Sequence, residues 1–227
     1  MTQNLEAEIQ SNIKAIQTGI DDACAYAGLP RQTPKLIAVS KVQPTERVVA
    51  ALEAGQRVFG ENRLQEAEER WCRLKPKYEK LELHLIGGLQ TNKAAKAVAL
   101  FDVIQTLDRI KLAKILASEM EKQGKNLPVY IQVNTGKEPQ KGGCMPEDLA
   151  ALVDTARALN LNVIGLMCIP PAGGDTSLHF ALLKKLAKRH GIERLSMGMS
   201  GDYALAAAMG ATDIRVGTAI FGERNYD

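Results

Sequence analysis

Aromatic residues are scarce in this chain of 227 residues: they make up 4% of it and include a single tryptophan. That scarcity removes the stacking platforms on which proteins hold single-stranded nucleic acid. An excess of one charge is lacking as well. Against 29 lysines and arginines stand 26 aspartates and glutamates, a net charge of +3, too slight and too dispersed for a surface that tracks phosphates. The four cysteines (Cys24, Cys72, Cys144, Cys168) lie far apart without a CxxC pair, and His84, His179 and His190 are equally scattered. This excludes the usual zinc-ligand spacings and fits a reducing compartment. No apolar run approaches membrane-spanning length, and the amphipathic N-terminus does not have the form of a signal peptide. The expectation is a cytoplasmic protein with no metal, no nucleic-acid partner and no membrane contact.

What is present is globular: 45% hydrophobic and 24% charged residues. The length is ordinary for one α/β barrel and ample for a large core. Leu5, Ile9, Ile13, Ile16, Ile20 and Cys24 recur at helical spacing. They predict an amphipathic covering helix of about five or six turns within residues 1–30, stopped by Gly28 and Pro30. Next comes Leu36-Ile37-Ala38-Val39-Ser40-Lys41 between Pro34 and Pro44, a short buried strand ending on a lysine, and then a helix over 45–54.

The alternation then repeats. Strand signals fall at 57–62, 83–88, 102–105, 128–134, 163–167, 193–199 and 214–216. Helices are expected at 64–74, from Thr91, from an Asp108 cap to Lys122, and over 146–159, 178–189 and 203–209. Eight strands alternating with helices, uninterrupted by linkers, predict a (β/α)8 TIM barrel over 35–222, with the whole chain 1–227 one domain carrying an extra N-terminal helix. A doubly wound open sheet is the other reading, but no GxGxxG follows the first strand.

In a barrel the strand ends converge on one mouth. They bring Lys41, Asn62, Gly87-Gly88, Asn134, Met167, Ser200 and Arg215-Val216-Gly217-Thr218 together. A lysine held at an apolar mouth is desolvated, which favours the amine that attacks carbonyls; any one strand-end lysine is otherwise simply a solvated side chain. Barrels commonly hold phosphate on the loops after strands seven and eight. Here those loops carry Met197-Gly198-Met199-Ser200-Gly201 and Gly217-Thr218. Ser200 is expected also to cap the following helix. A phosphate site beside a desolvated lysine suggests a phosphorylated aldehyde held as a Schiff base. Pyridoxal 5′-phosphate (PLP) is one candidate and the substrate of a sugar-phosphate aldolase another.

Six ordered motifs resemble the pyridoxal phosphate homeostasis proteins, which are single barrels similar to the N-terminal domain of alanine racemase. They are Ala38-Val39-Ser40-Lys41, Phe59-Gly60-Glu61-Asn62, His84-Leu85-Ile86-Gly87 with Gln90-Thr91-Asn92-Lys93, Gly165-Leu166-Met167, Leu195 to Ser200, and Arg215 to Gly222. The resemblance implies PLP bound covalently as an aldimine of Lys41. It also implies phosphate contacts from Ser200, Gly217 and Thr218, Arg215 facing the pyridine nitrogen, and Asn62 and His84 lining the same pocket. Two departures, Gly88 and a short loop after Pro170-Pro171, lie outside the motifs that carry the cofactor.

An arginine only donates hydrogen bonds, so the nitrogen it faces stays unprotonated and the ring is a poor electron sink. Asp213 lies two residues earlier on the same strand face, roughly 6–7 Å deeper, and reads as a strand-entry or buried structural residue. His84 is either a general base or a satisfied wall histidine. The leading expectation is a monomeric, non-catalytic protein that holds PLP for intracellular vitamin B6 homeostasis and passes it to PLP-dependent apoenzymes. A PLP-dependent amino-acid racemase and a cofactor-free aldolase are the alternatives. The racemases that the barrel resembles add a C-terminal domain and a tyrosine base, and neither is expected here.

Overall fold

Eight short parallel strands close into a barrel in the computed structural model, which describes residues 2–29 and 33–223. The strands are β1 (Lys35–Val39), β2 (Val58–Glu61), β3 (Glu82–Leu85), β4 (Val103–Leu107), β5 (Val129–Gln132), β6 (Val163–Met167), β7 (Arg194–Ser196) and β8 (Asp213–Val216). They pair in sequence order, and β8 returns to β1 with Lys35 opposite Asp213 and Ala38 opposite Val216. Leu36 to Val39 are all buried, the continuous apolar run of a parallel strand covered on both faces.

The helices are α1 (Thr2–Tyr26), α2 (Thr45–Glu53), α3 (Leu64–Leu74), α4 (Ala94–Leu100), α5 (Ile110–Lys122), α6 (Leu149–Ala158), α7 (Thr176–Arg189), α8 (Tyr203–Ala208) and α9 (Thr218–Phe221). Helix α1 is longer than its apolar periodicity predicts. Its Ile9, Ile16, Ile20 and Cys24 are buried, and it packs on α2, α8 and α9. The Asn12 amide donates to the Ile220 carbonyl at 3.0 Å, which ties α1 to α9. The helix closes with the Leu29 N–H bonded to the Cys24 carbonyl, just after Gly28; Pro30 lies outside the described residues. Among the described residues, no helix is long and apolar enough to cross a membrane.

The main core lies between strands and helices, where Trp71, Phe59, Phe101, Phe180 and Phe221 are fully enclosed. Inside the barrel a small apolar cluster of Val103, Tyr130 and Met167 sits among buried polar residues that include His84, Gln105, Ser196, Asp213 and Arg215. Asp213 accepts from the Tyr130 hydroxyl at 2.7 Å and from Arg194 at 2.8 Å, so it is a structural anchor across the barrel.

Several predicted boundaries move. Strand β7 has three residues, because Gly198 at φ 93° swings the chain out of the ladder before Met199. Strand β3 starts at Glu82 and ends at Leu85. Asp108 does not cap α5: its carboxylate pairs with Arg109, which occupies the cap position. Helix α7 does carry a side-chain cap, from Asp175 to the Ser177 N–H at 2.9 Å.

Candidate functional site

A cavity of about 260 Å³ opens at the carboxyl ends of the strands, lined by Val39, Lys41, Asn62, Ile86, Ile169, Met199, Ser200, Gly201, Arg215, Gly217 and Thr218. Larger cavities exist among the described residues. One of about 470 Å³ lies beside α1 at the strand-entry end, and one of about 460 Å³ lies between the ends of β2 and β3 and the start of α3. Chemistry rather than size singles out the smaller one. It gathers two cationic side chains, Lys41 and Arg215, with no carboxylate among its lining residues, which is the donor set of an anion site.

Lys41 follows β1 in a tight turn, where the Gln43 N–H bonds the Ser40 carbonyl at 3.1 Å. Val42 takes φ 60° there. A β-branched residue in that region is strained by about 1–3 kcal/mol, so the surroundings must hold the turn. Arg70 of α3 does so from outside the barrel. Its guanidinium donates to the Ser40 carbonyl at 2.9 Å and to the Gln43 carbonyl at 2.6 Å, bracketing Lys41 and Val42.

Glu61, at the end of β2, anchors the bracket. One carboxylate oxygen accepts from Arg70 at 2.7 Å, from the Ser40 hydroxyl at 2.8 Å and from the Trp71 indole at 3.0 Å. Glu61 is completely buried, and desolvation pushes its carboxyl above the usual range against the pull of Arg70. Asn62 comes next in the chain. A Cβ at Gly87 would overlap the Asn62 backbone, so glycine there lets the two strand ends close on each other. The Asn62 Oδ1 is buried and has no hydrogen-bond partner.

On the opposite side, Ser200 does not cap α8, which begins three residues later after Asp202. Its hydroxyl accepts instead from the Ala219 N–H of α9 at 3.3 Å, linking the loops after β7 and β8. Gly217 approaches β1 closely: a Cβ there would lie 3.3 Å from the Val39 carbonyl. Arg215 is buried to 3% exposure and donates to the Ser196 hydroxyl at 2.5 Å and the Cys168 carbonyl at 2.8 Å. Burial lowers its pKa from the usual arginine value, and Asp213 and Asp202 counter part of that; a guanidinium remains a cation throughout.

The cavity therefore unites six of the seven predicted residues: Lys41, Asn62, Ser200, Arg215, Gly217 and Thr218. His84 is the exception and corrects the expectation that it lines the same pocket. It is buried to 1% exposure, with its ring held between Glu82 at 2.6 Å and Gln105 at 2.7 Å. It lines a different cavity, shared with Lys35, Asp102, Tyr130 and Arg194. Two residues further along the chain, just past β3, Ile86 takes the mouth position that sequence reasoning gave to His84. The Arg70–Glu61–Ser40 bracket was also missed. Its one signal, a charged helix facing an acidic strand end, names no pairing.

The model of the alanine racemase N-terminal domain family matches residues 8–225. The pyridoxal phosphate homeostasis protein of Vibrio cholerae is 40% identical over 229 residues, covering 96% of this chain and 97% of its own. The chain belongs to the pyridoxal phosphate homeostasis protein family. The Homo sapiens family member is 34% identical over 249 residues, covering 99% of this chain and 90% of its own. The solved structure of PipY of Synechococcus elongatus with PLP bound aligns with a TM-score of 0.76 at 38% identity, covering 89% of this chain and all of its own.

Proposed function

We propose that the mouth cavity holds PLP and that this family member stores and releases the cofactor without turning over amino acids. The observation that carries the reading is the pairing of Lys41 and Arg215 in a cavity lined by no carboxylate, next to the loops after β7 and β8. The residues present fit the cofactor. The buried, unpartnered Asn62 Oδ1 is a polar atom awaiting a ligand, and Gly217 allows a close backbone approach. PLP supplies an aldehyde that condenses with a primary amine with loss of water, and Lys41 is the amine.

In this reading Ser200, Gly217 and Thr218 receive the phosphate, and Arg215 donates to the ring nitrogen and keeps a proton off it. Asn62 offers its Oδ1 to the cofactor. His84 is given no contact. Racemisation needs acid–base groups on both faces of the reacting carbon. Among the described lining residues Lys41 carries the one amine, which could serve a single face, and an arginine does not give up its proton. The rim residues Val42, Ile169 and Met199 are exposed, which leaves the mouth open to the PLP-dependent apoenzymes that would take the cofactor from this cytoplasmic monomer.

The test is to load the protein with PLP, reduce it with borohydride and map the labelled peptide. Label at Lys41, and loss of the visible absorption band in Lys41→Ala with the fold intact, are expected. Label at another lysine refutes the assignment. Multiple turnovers on L- or D-amino acids that Lys41→Ala abolishes would replace the storage reading with an enzymatic one.

A further inference from the structure

Beneath the mouth, an unbroken line of side-chain hydrogen bonds crosses the barrel interior. Arg215 on β8 reaches the Ser196 hydroxyl on β7 at 2.5 Å, and Ser196 reaches Gln105 Oε1 on β4 at 2.6 Å. Gln105 Nε2 meets His84 Nδ1 on β3 at 2.7 Å, and His84 Nε2 meets Glu82 Oε1 at 2.6 Å, where the line surfaces against Lys35. Arg215, Ser196, Gln105 and His84 are all at most 3% exposed.

The arginine sets the polarity of the line, because a guanidinium can only donate. The Ser196 oxygen accepts from it, so the hydroxyl proton goes to Gln105, whose facing atom must be the carbonyl oxygen. The amide nitrogen of Gln105 then donates to His84 Nδ1, and His84 carries its proton on Nε2 and gives it to Glu82. In the reverse order the Ser196 proton has no acceptor among the described bonds. Every donor thus points away from the mouth, from a buried cation to a carboxylate at the far end, and such aligned bonds reinforce one another. Nothing in this line touches the mouth except Arg215 itself.

We propose that Ser196, Gln105 and His84 are positioning residues for Arg215, holding its guanidinium from beneath in the orientation it presents to the mouth cavity. An arginine side chain is long and rich in rotamers. Two fixed acceptors, Ser196 and the Cys168 carbonyl, remove that freedom before any ligand arrives. The role rests on the cofactor reading given above, and the experiment has one arm that does not.

The first arm is nitrogen-15 NMR of histidine in the ligand-free protein, with the His84 signals assigned by His179→Gln and His190→Gln. A pyrrole-type Nε2 and a pyridine-type Nδ1 are expected. Gln105→Glu, whose facing atoms only accept, should put a proton on Nδ1 as well; an unchanged His84 signal in that variant overturns the relay. The second arm titrates PLP by absorbance into wild type, Ser196→Ala and Gln105→Leu, with Trp71 fluorescence verifying the fold. Roughly three- to tenfold weaker binding is expected in both variants, with a changed pH profile of the visible band, and Ser196→Thr should restore both. Wild-type affinity and profile in Ser196→Ala and Gln105→Leu overturn the positioning role alone. A wild type that does not bind PLP overturns the cofactor reading, and the role with it.

Discussion

Replacing Arg70 by methionine should destabilise the protein in a way that depends on pH, because of what it leaves behind. The substitution keeps a long apolar stem but removes two bonds to the Ser40 and Gln43 carbonyls and the ion pair with Glu61. Glu61 has no exposed surface, and an uncompensated buried charge costs about 3–5 kcal/mol. The carboxyl can escape that cost by taking up a proton. Its ordinary value is 4.5, so holding it protonated costs at most about 3.4 kcal/mol at pH 7 and about 1.4 kcal/mol at pH 5.5. Without Arg70 the folded-state value rises further above the unfolded one. The native state then binds more protons, and stability falls as pH rises through the interval between the two values. The loss of the carbonyl bonds, about 1 kcal/mol each, does not depend on pH. The expected deficit is therefore about 5–7 kcal/mol at pH 8, shrinking steadily toward the pH-independent part of about 2 kcal/mol as pH falls to 5. Urea denaturation followed by Trp71 measures it directly, since the chain's one tryptophan donates to Glu61 itself. A deficit below about 1 kcal/mol, or one equal at pH 5 and pH 8, would refute this account of how the Lys41 turn is held.

Ser200→Ala and Gly217→Ala should each weaken PLP binding about ten- to a hundredfold, the range for a charge-assisted hydrogen bond, in a fluorescence titration. Pyridoxal lacking its phosphate should be indifferent to both, and equal losses for pyridoxal would put the phosphate elsewhere. Glu82 is held down to about 2, first by the His84 hydrogen bond and then by Lys35. Its stabilising contribution is complete above pH 4.5 and is lost as pH falls from there toward 2. Wild type and Glu82→Gln should accordingly converge in stability near pH 2, and a constant gap from pH 7 to pH 2 in acid-unfolding curves would contradict the assignment.

The barrel was legible because glycines and prolines punctuate eight short apolar runs and because parallel strands buried on both faces carry few polar residues to blur them. Lys41 and Arg215 were legible for a related reason: charged residues closing such runs are conspicuous, and barrel topology sends them to one mouth. Depth along a strand was harder to read. His84 lies on β3 and Ile86 just past its end, and two residues of rise separate a mouth position from the layer below, as Arg215 stands above Asp213. The Ser200 cap failed because its hydroxyl found an N–H on α9, a partner nineteen residues away that no local pattern encodes. Arg70 was out of reach for the same reason, since its partners lie 9, 27 and 30 residues away across a packed layer.

The seam between β8 and β1 has a consequence for how the protein comes into being. Its pairs, such as Ile37 with Arg215, and the Asn12 bond to Ile220, 208 residues apart, join an early-made segment to one made much later. Pairings of such separation carry the largest loop-closure cost and form late. Arg215, Gly217 and Thr218 belong to that closing segment, so a nascent chain exposes Lys41 long before it can offer an anion site beside it. The anion site then arises in one step, with the closure of the barrel, and a chain that has not finished folding presents Lys41 without it.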